Sequence, residues 1–340
     1  MRVLTPRRIA AVLGMLLVLL LAVDFVALLA GPGGLAPGEV VDVLLGGDAS
    51  GAAGDIVLRV RLPRVWLAML VGASLAVAGV LFQALLRNPL ADPFVLGVSG
   101  GAALGGIVAL SLGAGIGWGY AAVPPAAFAG AIATTVVLYA VAGVRGRVSG
   151  TNLLLTGVVF NAIASAAIVF LATLAGLTEG ASIFLWLIGS LSAARADVAG
   201  WVALFLAGGL LCAMPLARGL NLLALGEDSA QQLGVDVERQ QRVLLVATSL
   251  MVGAAVSAAG LIGFVGLIIP HLLRLLLGPD HRLLVPAAAL GGAVFLVACD
   301  TLARVLLGGR ELPVGAITAL AGGPLFLWLL RRHHLRVFAP

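Results

Sequence analysis

The chemistry open to this chain is narrowed first by its basic side chains. All 20 basic residues are arginine, and lysine occurs nowhere in the 340 residues. A Walker A loop needs a lysine on the nucleotide phosphates, and a Schiff base needs a lysine amine. Neither is available, so any nucleotide-driven step must take place on another chain. Cys212 and Cys299 lie in separate apolar runs and offer no CxxC metal site and no disulfide framework. Ser99, Ser165 and Ser257 lack an evident catalytic partner. His271 follows Pro270 in a glycine-rich break, and His333 and His334 sit beside Arg331 and Arg332 near the C-terminus. A packed histidine and a solvated basic end account for these better than metal ligation. The expectation is no catalytic residue, no metal site and no cofactor bound by this chain.

The elements around these residues are set by composition. Apolar residues make up 61% of the chain and charged residues 10%, against about 25% charged in a soluble domain. Mean hydropathy is +1.16. One soluble core could not bury so much apolar surface. A membrane-crossing helix needs about 20 mostly apolar residues, and such runs fall at approximately 9–30, 62–86, 94–112, 121–142, 152–175, 197–215, 243–262, 264–277, 283–306 and 313–330. The predicted fold is an all-α polytopic membrane protein of about ten transmembrane helices, one membrane domain over residues 1–340. Residues 31–60 read as an external loop. Ile183 to Leu191 is too short to cross and reads as a surface or re-entrant helix. The eighth span is short, and Gly263, Gly266 and Pro270 predict a broken or tilted piece.

Orientation follows from arginine placement. With ten spans both termini lie on one side. Fourteen arginines then fall on the cytoplasmic side and six outside: Arg59, Arg61, Arg64, Arg195, Arg304 and Arg310. This predicts cytoplasmic termini in a prokaryotic inner membrane. Glycine takes 46 positions, about twice the usual share, which predicts closely packed helices. Span two runs into Arg87-Asn88-Pro89-Leu90-Ala91-Asp92-Pro93, and span seven into Gly260 to Gly266 followed by Pro270 and His271. Two long spans, each followed by a Gly/Pro break, at opposite sides, form the pattern of an inverted repeat.

Ionisable groups inside the spans are scarce. Asp24 and Asp300 lie toward span ends, and His271 and Arg274 in the short span. A proton- or ion-coupled carrier usually places such groups mid-membrane. The longest polar stretch is 216–242. Within it Glu227 and Asp228 suit a helix N-terminus, Gly234 a stop and Asp236 a new start. A short helix, a break and a second helix are expected to project into the cytoplasm.

Gly226-Glu227-Asp228-Ser229-Ala230-Gln231-Gln232-Leu233-Gly234 resembles the coupling segment of the permease subunits of ABC importers for iron–siderophore, haem and cobalamin (FecCD-like, type II). The resemblance extends through Arg61-Leu62-Pro63-Arg64, Gly79-Val80-Leu81-Phe82-Gln83, the 87–93 segment, Leu96 to Gly101, Gly263 to His271 and Glu311-Leu312-Pro313-Val314-Gly315. It covers nearly the whole chain. It implies ten helices per subunit, a second permease subunit (here expected as a homodimer), two cytoplasmic ATPase subunits that bind ATP and Mg, and a periplasmic or lipid-anchored binding protein. By the same resemblance, Gly226 to Ala230, Gln231, Leu233 and Gly234 couple to the ATPase. Arg61, Arg64 and Arg304 dock the binding protein, and Asn88, Leu90, Ser149 and Thr151 form an inner gate. The implied activity is alternating-access import of a metal chelate. An ion- or proton-coupled secondary transporter is the alternative reading.

Overall fold

The structure is a computed structural model that describes residues 4–47, 51–89, 91–116, 122–144, 147–148, 150–176, 187–192, 196–307 and 311–337. The long helices are α1 (Pro6–Leu29), α3 (Ala52–Leu85), α4 (Val98–Ile116), α5 (Val123–Ala142), α6 (Gly150–Leu174), α7 (Ala196–Leu223), α9 (Val237–Ala259), α10 (Val265–Leu277), α11 (His281–Val305) and α12 (Val314–Val337). They match the ten predicted spans in order. Seven of them are long and apolar enough to cross a membrane, and α4, α10 and α12 carry shorter apolar stretches. Two small helices, α2 (Pro37–Leu44) and α8 (Glu227–Gln232), lie at opposite ends of the bundle. Gly143–Val144 pairs antiparallel with Arg147–Val148 between α5 and α6.

Local chemistry sets the helix starts. Thr5 accepts a hydrogen bond from the Arg8 amide at 3.3 Å, with Pro6 in the first turn. Asp236 and Asp280 cap α9 and α11 in the same way. The 31–60 segment is more ordered than the expected loop. Pro37 opens α2, the Glu39 carboxylate accepts from the Ala36 amide at 2.8 Å, and Val40, Val43 and Val57 are buried together. The first turns of α3 are π-helical from Asp55 to Arg61, directly before Pro63. Pro63 has no amide to continue the normal ladder.

The centre of the bundle is α3, packed on α11, α10, α9 and α7. Glycines set the distance. A Cβ on Gly72 would overlap the Gly292 carbonyl, one on Gly292 would overlap the Gly72 carbonyl, and one on Gly79 would overlap the Gly266 carbonyl. Between α4 and α5, Gly101 and Gly130 meet in the same reciprocal way. Lipid tails are as apolar as leucine, so helix pairs in a membrane depend on such backbone contact for dispersion.

The packing follows the expected inverted repeat. Helix α3 lies on α11 and α10, as α9 lies on α5 and α4, and α3 meets α9 between the halves. Gly157 of α6 packs on Leu96, just before α4, and Gly322 of α12 packs on Phe264, just before α10. The backbone turns through positive φ at Arg87 and Gly97 in the first break and at Gly260 and Phe264 in the second. The second break is partly buried, with Gly260 and Ile262 covered. The Ser190 amide donates to the Ala259 carbonyl and the Gly315 amide to the Gly189 carbonyl. Of the predicted short helix at 183–191, residues 183–186 lie outside the described residues, and Leu191 is buried here.

Gly79→Leu is expected to lower the thermal unfolding midpoint of the detergent-purified chain, at a cost above the about 1–3 kcal/mol of ordinary overpacking. Gly14→Leu, where a side chain meets nothing within 4 Å, should leave the midpoint nearly unchanged. Equal effects would contradict the close-approach reading.

Candidate functional site

The 216–242 stretch folds as its residue types require. Gly226 adopts φ 116° ahead of α8, which makes it the N-cap, and Gly234 turns the chain at φ 86°. Such backbone favours glycine. Asp236 accepts from the Arg239 amide at 3.0 Å and starts α9. Ala230 is buried under α8, while Asp228, Ser229, Gln231, Gln232 and Gly234 are exposed. Leu225 and Leu233 are 68% and 60% exposed beside these polar groups.

Helix α8 is tied to the rest of this end. Glu227 pairs with Arg87 at 3.4 Å and accepts from the Gln241 amide at 3.4 Å. Gln240 donates to the Leu216 carbonyl at 3.2 Å, over Gly219. Asp280 accepts from Asn221 at 2.8 Å and pairs with Arg282 at 2.6 Å. Arg282 holds the Asp280 carboxyl far below the usual carboxylate range, with Asn221 adding to the effect.

Two of the expected gate residues, Asn88 and Thr151, fall at the same end. Arg87 sits at φ 48° after α3, Asn88 follows it, and the Asn88 amide donates to the Gln83 carbonyl at 3.1 Å. A Cβ on Gly150 would meet Leu86 at 3.5 Å, so Thr151 in the first turn of α6 lies near this turn and is exposed. Leu90 and Ser149 lie outside the described residues. Asp92 is buried in the turn. Burial pushes its carboxyl up to about 6, against the lowering pull of the Phe94 amide.

The three arginines assigned to docking are placed differently from the expected solvent-facing cluster. Arg61, Arg64 and Arg304 are only 3%, 6% and 4% exposed. Arg61 donates to the carbonyls of Leu28, Leu29, Gly31 and Pro32 at 2.6–3.2 Å. Arg304 donates to Ala27 and Ala30 carbonyls at 3.1 Å and lies 3.0 Å from Asp300. Arg64 pairs with Asp300 at 3.0 Å and with the half-exposed Glu311 at 2.8 Å. Arg61 and Arg304 thus cap the C-terminus of α1, where carbonyls lack helical partners, and join it to α3 and α11, while Arg64 ties α3 to Asp300 and Glu311. A cation in this setting takes internal partners because leaving it unpaired is costly. Arg59, paired with Asp55 at 3.1 Å, is the arginine of this segment that faces outward. Asp300 and Glu311 were missed as partners, although the four-residue spacing of Asp300 and Arg304 was a readable signal. Among the described residues no His/Cys/Asp/Glu group could hold a metal ion.

Because Asp300 is shared by two buried arginines, Asp300→Ala should destabilise the chain by about 3–5 kcal/mol, read as a lower unfolding midpoint in detergent. Asp55→Ala, which breaks an exposed pair, should cost less than about 1 kcal/mol. A small effect at Asp300 would refute the stapling role.

Residues 16–332 match the FecCD transport family. The chain is 45% identical over 282 residues to the cobalamin import system permease protein BtuC of Halobacterium salinarum, covering 83% of this chain and 74% of the relative. It is 42% identical to the hemin transport system permease protein HmuU of Yersinia pestis, covering 81% and 83%. A solved structure described as an inward-facing conformation of a metal-chelate type ABC transporter superposes with a TM-score of 0.79 at 30% identity, covering 95% of this chain and 99% of that one. With ten apolar helices in the predicted order and a match running through nearly all of them, the chain belongs to the FecCD transport family.

Proposed function

We propose that this chain is one permease domain and forms the membrane-spanning subunit of an ATP-binding-cassette importer for a metal chelate. The observation that carries the reading is the family match over residues 16–332, joined to a polar helix at one end of the bundle with two exposed leucines. Relatives named for cobalamin and for hemin support the substrate class: an iron–siderophore, haem or cobalamin. The chain contributes no catalysis. ATP and Mg belong to two ATPase subunits, which the absence of lysine requires on separate chains.

In this reading the α8 end is cytoplasmic, in agreement with the arginine bias, and both termini lie there in a prokaryotic inner membrane. Gly226 to Gly234 seats in the ATPase. A second copy covers the exposed apolar face of α6, the least buried of the long helices. A periplasmic or lipid-anchored binding protein delivers substrate at the α2 end. Nucleotide shifts the outward–inward equilibrium only so far as the ATPase contact differs between the two states. Arg87 and Glu227 join α8 to the turn that carries Asn88, so movement of α8 reaches the cytoplasmic constriction formed there with Leu90, Ser149 and Thr151. The buried arginines hold the docking rim in shape, while outward-facing groups such as Glu311 and Arg59 meet the partner.

The test is reconstitution of the chain with its ATPase and binding protein in liposomes, measuring uptake of ferric siderophore, haem and cobalamin. Binding-protein-dependent uptake that requires ATP is expected for one of them. Uptake that ignores ATP and follows a proton or sodium gradient would overturn the proposal in favour of a secondary transporter. In the same system, Asp228→Arg with Leu233→Arg should reduce ATP-driven uptake at least tenfold or release the ATPase during purification. Normal uptake with normal co-purification would remove α8 from the coupling role.

A further inference from the structure

A groove of about 580 Å³ opens between α1, α7 and α11 at the α8 end, away from the breaks and the turn that carries Asn88. Its walls are Ile9 and Leu13 of α1, Met214, Pro215 and Arg218 of α7, and Arg282 and Pro286 of α11. Pro215 and Pro286 both interrupt their helices. A proline inside a helix leaves the carbonyl four residues before it without its helical amide partner, and both prolines line the groove.

The depth of these residues has an order. At 1.5 Å per residue, Arg282 stands about 2 Å from the start of α11 and Arg218 about 8 Å from the end of α7. Leu13, Met214 and Pro215 stand about 10–14 Å inside their helix ends. Ile9 and Pro286 stand about 5 and 8 Å in, level with Arg218, so cations and apolar groups share the shallow part and the deep part is apolar. Arg7 and Arg8 stand on the turn of α1 that carries Ile9, and Arg8 donates to the Leu277 carbonyl at 2.7 Å. The acidic group known at this rim is Asp280, already bound to Arg282 and Asn221. Arg218 is exposed. Among the described residues the exposed Arg218 adds a positive charge beside the Arg282–Asp280 pair at this mouth.

From this we infer that the groove is a binding site for an anionic phospholipid. Its phosphate would lie between Arg218 and Arg282, and the first part of one acyl chain would lie along Ile9, Leu13, Met214 and Pro286. A soluble anion would use the arginines but not the apolar floor. A zwitterionic lipid would use the floor but gain little from the cations. Basic pockets between membrane helices select anionic headgroups by this combination, and each arginine near an anionic headgroup contributes about a fivefold preference. The inference needs only the membrane fold and holds whatever solute the chain carries.

The test is native mass spectrometry of the delipidated full chain in neutral detergent, titrated with phosphatidylglycerol or with phosphatidylcholine of the same acyl chains. The expected result is one tightly retained phosphatidylglycerol, preferred at least tenfold over phosphatidylcholine. Arg218→Gln with Arg282→Gln should reduce that preference about tenfold or more. Met214→Trp, which fills the floor and leaves the charges in place, should weaken phosphatidylglycerol retention in a chain whose unfolding midpoint is unchanged. Equal retention of the two lipids by the unaltered chain would overturn the proposal, as would an unchanged preference in the double variant. Displacement of the lipid by millimolar inorganic phosphate would equally overturn it, by assigning the site to a free anion.

Discussion

Backbone contact at Gly79 and Gly72 governs the architecture. These two positions let α3 touch α10 and α11 with no side chain between them. In lipid, helices gain little by hiding apolar surface from one another, because the surrounding tails are equally apolar. What remains is dispersion between closely packed atoms and the satisfaction of backbone polar groups. Close approach at two points along α3 supplies the first. It also sets the start of α10 against α3, beside a non-helical stretch in which Gly260 and Ile262 are buried and Leu261, Gly263 and Phe264 are half-buried. The break is tolerated because α3 is near enough to cover it.

At the α2 end charge takes over from shape. Helix α1 finishes with free carbonyls near the edge of the bundle, and Arg61 and Arg304 approach it from two different helices. Asp300 offsets part of that positive charge from inside, and Glu311 offsets part from the surface. Each member is acceptable there only because the others are present. Arg61 and Arg304, two of the arginines that depart from the positive-inside bias, are thus accounted for by the helix terminus they cap, a cause internal to the fold.

Much of this was legible in the sequence. Ten apolar runs, the Gly/Pro breaks and the Gly-Glu-Asp…Gly-Val-Asp pattern are local signals, and the corresponding helices, turns and caps form where they predict. Helix α2 and the early start of α3 were not legible, because Val40, Val43 and Val57 become a core only when α1 folds back beside them. The fate of Arg61, Arg64 and Arg304 was hidden for a related reason. Their partners lie up to 277 residues away in the chain, and single-sequence reading sees charge without its neighbours. The roles given to Gly226–Gly234 and to Asn88 and Thr151 rest on resemblance, and the structure adds that α8 and the Asn88 turn are bridged by one ion pair.

Helix α9 runs unbroken for 23 residues from Val237 to Ala259, about 35 Å. It begins three residues after Gly234 and ends at the break before α10. An α-helix of that length resists compression far better than it resists hinging at its ends. A thrust delivered at one end therefore arrives at the other as a displacement of the whole rod. Because both ends of α9 are set by non-helical turns, the proposed coupling would use α9 as a connecting rod with a joint at each end, its travel limited by what the two joints absorb.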